Sequence, residues 1–341
     1  MTSALATGAL LALLSGVMNG TFTLPMRFLG RWEWENVWSL FILVACVLMP
    51  ISVVALTAPG GLAVLALAPG AALWAALLTG FAWGFGAIMF GQSVSALGIS
   101  LANTLVLALS SALGSALPLA ILDRQKFSQP QGQIILLGAA VAVVGIVLCG
   151  RAGWLRERAA SPAARGNMVG KARPLRVGVL LCIGAGLLSA VFNIGYSLAQ
   201  PIVTTAQAHG LDAFAGSNLI WLLMLGAGSV ANLGYCAFLL VRNHSFAKFA
   251  QPGSIRLYSL GAVMGLLWGG SIFVYGAAAP RLGHLGPAIG WPLSLAAGLL
   301  VANLLGLWSG EWKAAPAAAR SWMWSGIAVL LLAIVVLSRA S

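Results

Sequence analysis

Of the chain's 341 residues, 60% are hydrophobic and only 7% charged, against about a quarter charged in a typical soluble domain. That composition excludes an ordinary soluble fold and points to an integral membrane protein, with the lipid bilayer as its surroundings. The net charge of +12 does not mark a nucleic-acid binder, because the cations collect in short loops rather than along one helix or groove; no nucleic-acid partner is expected.

Apolar runs of about 20 residues cross roughly 30 Å of hydrocarbon as helices. They are predicted near 3–24, 38–58, 71–93, 101–121 and 133–149, then near 177–199, 216–240, 257–277, 285–307 and 321–338. The first run has no positive residue in its leader, Met1-Thr-Ser-Ala, and reads as a retained span rather than a signal peptide. Trp32, Trp34, Trp38, Trp312, Trp322 and Trp324 flank spans and read as interfacial belt. Cys46, Cys149, Cys182 and Cys236 lie in or at the edge of spans without ligand-like spacing, so they read as packing residues. Neither a metal nor a cofactor is expected. Residues 151–176 form the one substantial hydrophilic linker, rich in Arg and Lys, and divide the chain into units at 1–150 and 177–341.

The two units repeat each other. Gly80-Phe-Ala-Trp83-Gly84, continuing to Phe90-Gly91 and Leu97-Gly98, recurs as Gly265-Leu-Leu-Trp268-Gly269, Tyr275-Gly276 and Leu282-Gly283, an offset of 185. Leu13-Leu-Ser-Gly-Val-Met-Asn19 through Phe22 matches Leu187-Leu-Ser-Ala-Val-Phe-Asn193 through Tyr196 at an offset of 174. Gly138-Ala-Ala-Val, running on to Arg151-Ala, matches Gly326-Ile-Ala-Val, running on to Arg339-Ala, at 188. Each unit holds five spans, an odd number, so the second enters the membrane in the opposite sense. The expected fold is all-α, ten transmembrane helices arranged as two inverted five-helix repeats. Fourteen of the 18 Lys and Arg fall in the loops after odd-numbered spans, which by the positive-inside rule puts those loops in the cytoplasm and both termini outside.

Trp83 and Trp268 fall near the middle of their spans, where an indole N–H needs a hydrogen-bond partner that hydrocarbon does not supply. Phe90 and Tyr275 follow them by two helical turns and share their faces. One reading makes these aromatics the wall of a ligand cavity, suited to the apolar C–H face of a neutral polyol. The other makes them packing residues, with Gly80/Gly84 and Gly265/Gly269 as small-xxx-small helix contacts. Asn19 and Asn193, at matched positions, are expected about 7 Å either side of the midplane, as hydrogen-bonding groups of a central site or as interhelical bonds. Gln92 joins them as a substrate-binding candidate. Asn103, Ser110, Ser111, Asn232, Tyr235 and Asn303 are further polar residues in or near spans, individually more often structural.

All six acidic residues fall in loops or at span ends, which weakens proton coupling through the core and argues against a cationic cargo. The proton-coupling candidates are Glu35, with Glu33 beside it, and His284; a surface salt bridge of Glu35 with Arg31 or Arg27 is the structural alternative. The three histidines, His209, His244 and His284, are scattered, and no nucleophile–base pair appears at workable spacing, so an enzyme is not expected.

Several loop strings carry a family likeness: Trp32-Glu-Trp34-Glu35 with Trp38-Ser39, Arg151-Ala-Gly153-Trp-Leu155-Arg-Glu157-Arg158, Asn232-Leu-Gly-Tyr-Cys236 and Glu311-Trp312. On these the chain resembles the L-rhamnose-proton symporters of the drug/metabolite transporter superfamily, over essentially its full length. The resemblance implies uptake of rhamnose or a related neutral sugar together with a proton, across the bacterial inner membrane. An exporter or uniporter of another small metabolite is the alternative.

Overall fold

A computed structural model describes residues 3–28, 30, 32–122, 129–159, 174–251, 253–282, 291–337 and 339, and among these it is helical throughout, with no strand. In hydrocarbon each backbone N–H and C=O must be satisfied within the protein, and a helix does this inside one segment. Among the described residues, eight helices are long and apolar enough to cross a membrane: Ala6–Met26, Trp34–Thr57, Gly70–Leu97, Gly132–Arg156, Leu175–Ala208, Ala213–Arg242, Ser254–Ala278 and Ala317–Val336. Shorter apolar helices, Ile99–Ser110 and Leu293–Trp308, lie where the fourth and ninth spans are expected. Large apolar side chains cover the exterior, among them Leu10, Leu56, Trp74, Leu180 and Val241, as a lipid-facing surface requires. The protein is a multi-pass membrane protein.

In chain order the helices are α1 (Ser3–Thr21), α2 (Trp34–Ile42), α3 (Met49–Thr57), α4 (Gly61–Leu67), α5 (Gly70–Leu97), α6 (Ile99–Leu122) and α7 (Pro130–Ala159). The second group comprises α8 (Leu175–Leu198), α9 (Pro201–Ala208), α10 (Ala213–Arg242), α11 (Ser254–Arg281), α12 (Trp291–Trp308) and α13 (Ala317–Leu337). A π-helical stretch, Leu43–Leu48, joins α2 to α3, with Met49 N–H bonded to Val44 O. Pro50 explains it in part: lacking an N–H, it cannot close the ordinary i→i−4 bond to Cys46, and the ladder shifts. The basic linker expected from residue 151 begins as helix, since α7 continues to Ala159 with the guanidiniums of Arg151 and Arg158 over the Trp154 ring at 4.4 and 4.2 Å.

Packing follows the sequence repeat. Helix α1 packs on α11 and α12, and α8, its repeat counterpart, packs on α5 and α6, the counterparts of those two. Likewise α10 lies on α5 as the α2–α3 helix lies on α11, while α7 and α13 pair with each other. Glycines permit these approaches. A Cβ on Gly84 would stand 2.6 Å from Gly228 O, and one on Gly265 would stand 2.6 Å from Val44 Cβ, so α5 and α11 each use the expected Gly-xxx-Gly face to seat a neighbour. The Trp83 ring also lies beside the first of these contacts, 2.8 Å from where a Cβ on Gly228 would stand.

Of the tryptophans expected in an interfacial belt, Trp322 and Trp324 are exposed, but Trp32, Trp34, Trp38 and Trp312 are buried within the protein. Flanking a span sets a residue's depth in the membrane and not the face it presents, and neighbouring helices cover these four. The four cysteines are buried and free, as packing residues.

Candidate functional site

Both Trp83 and Trp268 stand at the middle of 28-residue helices, and they meet face to face with ring centroids 5.2 Å apart and planes 15° from parallel. This contact joins repeat-equivalent positions. An offset stack of this kind contributes about 0.5–1.5 kcal/mol beyond its buried area. Among the described residues neither indole N–H has a hydrogen-bond partner, the condition that drew attention to them in the sequence.

The stack is the centre of a longer file of rings. On one side Trp83 contacts Phe192 (4.9 Å), which stacks on Trp221 (5.7 Å), which stacks on Tyr196 (4.5 Å, 14°). On the other, Trp268 meets Phe41 edge-on (6.0 Å, 76°), and Phe41 packs on Phe22 (5.5 Å), which in turn stacks on Phe90 (5.7 Å). These rings wall a chamber of about 680 Å³, inside the range of roughly 300–1,000 Å³ usual for small-molecule sites. Asn19, Asn193, Phe90 and Tyr275 line it with the two tryptophans. Hydroxyls of Ser110, Ser189, Ser197 and Ser217 and the amides of Asn103 and Gln200 complete its polar surface. Among the described residues that line it there is no Asp, Glu, Lys, Arg or His. The chamber can therefore hold a neutral solute that presents both C–H faces and hydroxyls.

Gln92 is buried but does not line the chamber. It follows Phe90 by two residues, which turns it about 200° round the helix, away from the face that carries Trp83 and Phe90. The mutual stacking of the indoles also changes how they are available: each already covers one face of the other.

The two ends of the chamber differ. Beside the C-terminus of α8 it reaches the exposed Ser197 and Gln200, with Asn193 and Tyr196 partly accessible. At the opposite end Phe22, Trp38, Phe41 and Asn103 are all 2% exposed or less and close it. There Trp38 Nε1 donates to Asn232 Oδ1 (2.9 Å), while Asn232 Nδ2 donates to Gly84 O (2.9 Å) and Gly228 O (3.0 Å). Asn103 donates to Thr23 Oγ1 (3.2 Å) and Ile99 O (2.9 Å).

Beyond the closed end the start of α2 is docked on the loop between α10 and α11. Glu35 is buried, with its Oε1 accepting from Asn243 Nδ2 (2.9 Å) and Ser245 Oγ (2.6 Å), and Glu33 pairs with Lys248 at 2.6 Å. The expected surface position of Glu35 is thus overturned, because the α10–α11 loop covers it; a pairing with Arg27 or Arg31 involves side chains outside the described residues. Glu35 does not line the chamber, although Trp38, one turn on, does. His284 and Ser111's side chain also lie outside the described residues.

A second contact closes the same end. Glu311 Oε1 and Oε2 accept from the backbone N–H of Ile99 (2.8 Å) and Ser100 (3.1 Å), so a carboxylate from the α12–α13 loop caps the first turn of α6. Arg156 lies 3.8 Å from Glu311 and over the Trp312 ring, and donates to Leu97 O. Gly98 has φ +86°, which reverses the chain between α5 and α6, and leaves room for the Glu311 carboxylate, 3.0 Å from where a Cβ would be. Asn303, one of the polar residues expected within spans, is structural: it accepts from Ser100 Oγ (2.6 Å) and donates to Thr104 Oγ1 (2.7 Å), tying α12 to α6.

Sequence reasoning missed Trp38, Phe41, Phe192, Tyr196 and Trp221 as chamber residues. A signal existed for three of them: Tyr196 is the repeat partner of Phe22, and continuing the repeat to spans two and seven at an offset of 180 pairs Phe41 with Trp221.

A multi-pass helical protein that encloses an aromatic-walled chamber, uncharged among its described lining residues, belongs, by class, with membrane carriers of small neutral solutes. The family model of the L-rhamnose-proton symport protein (RhaT) matches residues 1–341, and the chain belongs to that family. Its relatives include the L-rhamnose-proton symporter of Cronobacter sakazakii, 29% identical over 344 residues, which cover 98% of this chain and 97% of the relative. Those of Citrobacter koseri and Yersinia pestis are 27% and 26% identical, again over 98% of this chain and 97% of theirs. No solved structure matches the chain.

Proposed function

We propose that the protein takes up a neutral monosaccharide, L-rhamnose or a close relative, together with a proton, by alternating access. In this reading it is a drug/metabolite-type carrier of ten membrane-crossing helices in two inverted five-helix halves. The exchange of packing partners between the halves supports the inversion, and the charge-rich loops after odd-numbered spans support a bacterial inner-membrane protein with periplasmic termini. The observation that carries the function is the chamber itself: solute-sized, without a charged group among its described lining residues, ringed with aromatics and hydroxyls, in a chain matched end to end by a sugar–proton symport family.

The sugar's C–H faces meet Trp83, Trp268, Phe90 and Tyr275, and its hydroxyls reach Asn19, Asn193 and the serines. A neutral cargo needs no countercharge, which fits walls without one. Proton coupling then falls to a carboxylate outside the chamber, and Glu35 fits best: it is buried, held by two neutral donors, and one turn from Trp38 at the closed end. Protonation would turn its carboxylate from acceptor to donor and loosen the grip of the α10–α11 loop on α2.

The test is uptake of radiolabelled L-rhamnose and other monosaccharides into membrane vesicles with and without an imposed pH gradient. Saturable uptake that rises with the inward proton gradient is expected, and its loss in Trp83→Ala and Trp268→Ala. Absence of saturable uptake for every sugar would remove the reading. Gradient-driven accumulation that survives in Glu35→Gln would remove Glu35 from it.

A further inference from the structure

Three aromatic pairs related by the internal repeat line the chamber, and they differ in one consistent way. Phe22 pairs with Tyr196, Phe41 with Trp221, and Phe90 with Tyr275. In each, the first member has no hydrogen-bonding atom and the second carries a phenol or indole tip.

The two sets stand at opposite ends. Phe22 contacts both Phe41 and Phe90 at the end closed by the docking of α2 on the α10–α11 loop. Tyr196 and Trp221 stack near the start of α10, the end that opens beside Gln200, and Tyr275 lies two turns past Trp268 towards the C-terminus of α11, away from that docking loop. Tyr196 Oη is 3.1 Å from Ser217 Oγ, and Trp221 Nε1 is buried with no hydrogen-bond partner among the described residues. Asn19 and Asn193 and the central indoles are matched; among the described residues the ends differ in these six rings, and in Ser197, Gln200 and Ser217 at the open end against Asn103 and Ser110 at the other.

Resting on the transport reading above, we infer that the chamber binds its sugar more tightly when it faces the Tyr196–Trp221–Tyr275 end than when it faces the Phe22–Phe41–Phe90 end. A sugar hydroxyl that leaves water must find a partner or lose the free energy of its hydrogen bonds. The tipped rings supply partners at one end. At the other, the same hydroxyls meet phenylalanine edges and, among the described residues, are served by Asn19, Asn103 and Ser110. With the termini periplasmic, the tight end faces the periplasm, where the sugar is captured, and the loose end faces the cytoplasm, where it is released. The accumulation ratio stays fixed by the proton gradient; the asymmetry sets the half-saturation concentration at each face.

The experiment measures KM for radiolabelled L-rhamnose exchange at equal pH on both sides, in right-side-out and inside-out vesicles carrying the full chain. We expect KM at the periplasmic face to be about tenfold or more below that at the cytoplasmic face. Tyr196→Phe and Tyr275→Phe should each raise the periplasmic KM about three- to tenfold and leave the cytoplasmic value within about twofold. Phe90→Tyr should lower the cytoplasmic KM. Equal KM values at the two faces, or Tyr→Phe variants that move both faces alike, would overturn the inference while leaving transport intact. An asymmetry of opposite sign would overturn the membrane orientation and keep the ring assignment, and no saturable exchange from either face would remove the transport reading itself.

Discussion

Asn232 makes three hydrogen bonds with one amide, and each has a different purpose in the packing. Its oxygen takes the Trp38 indole proton and so fixes a ring at the closed end of the chamber; its nitrogen binds the carbonyls of Gly84 and Gly228, where α5 and α10 come closest. Trp38 and Asn232 are both 1% exposed or less, so no water can replace a lost partner. Truncating Asn232 to Ala leaves the indole N–H and Gly84 O without this partner, at a cost of about 1–3 kcal/mol. The expected outcome is a lower melting temperature for the detergent-solubilised protein, with part of the loss recovered when Trp38→Phe removes the orphaned donor as well. An unchanged melting temperature in Asn232→Ala would show that the bond network is not what holds the closed end. Trp221 carries the opposite condition, a buried indole with no partner, next to the cavity rather than deep in a helix contact.

Between helices, small residues decide how close two axes can come. Gly84 and Gly228 are in backbone contact, and a Cβ at Gly84 would press on a carbonyl that cannot rotate away. Gly84→Ala is therefore expected to push α5 from α10, costing about 1–3 kcal/mol by overpacking and displacing Trp83, which is on the next residue. Gly234 is the control on α10, since a Cβ there meets nothing within 4 Å. Gly234→Ala should leave the melting temperature unchanged or raise it slightly, because Ala is the better helix former. Equal effects of the two substitutions would count against the close approach. The Glu311 cap belongs to this scale too: a side chain from the α12–α13 loop satisfies the first donors of α6, so the two halves share a helix terminus.

For the whole molecule the central feature is that packing partners exchange between the halves, with the Trp83–Trp268 stack where they meet. In the proposed arrangement of two inverted halves of five crossings each, both termini lie on one side, opposite the basic segment from Arg151 to Arg176. An alkaline phosphatase fused to the C-terminus is expected to be active in intact cells, and single cysteines placed near Arg158 to be shielded from membrane-impermeant thiol reagents until the membrane is broken. An inactive fusion, or labelling of that segment in intact cells, would reverse the topology or change the number of crossings.

How much could be read from residues alone follows from what each scale depends on. The apolar runs located the helices, because hydrocarbon leaves the backbone only one economical way to be satisfied within a segment. The repeat located Trp83, Trp268, Asn19, Asn193, Phe90 and Tyr275, because equivalent positions in two packed copies face the same shared space. It did not tell which tryptophans near span ends are covered, since Trp32, Trp34, Trp38 and Trp312 owe their burial to helices distant in sequence. Nor did it tell that Glu35 is buried under the α10–α11 loop, or that Gln92 turns away from the chamber. The residues by themselves determined a duplicated, membrane-embedded helical chain with aromatics at half-height, through periodicity and hydrophobic length, both local properties. Only the tertiary structure decided that the two indoles stack on each other, that one end of the chamber is sealed and the other open, and that rings with polar tips collect at the open end. Those depend on which faces of distant helices meet, and no local pattern encodes that.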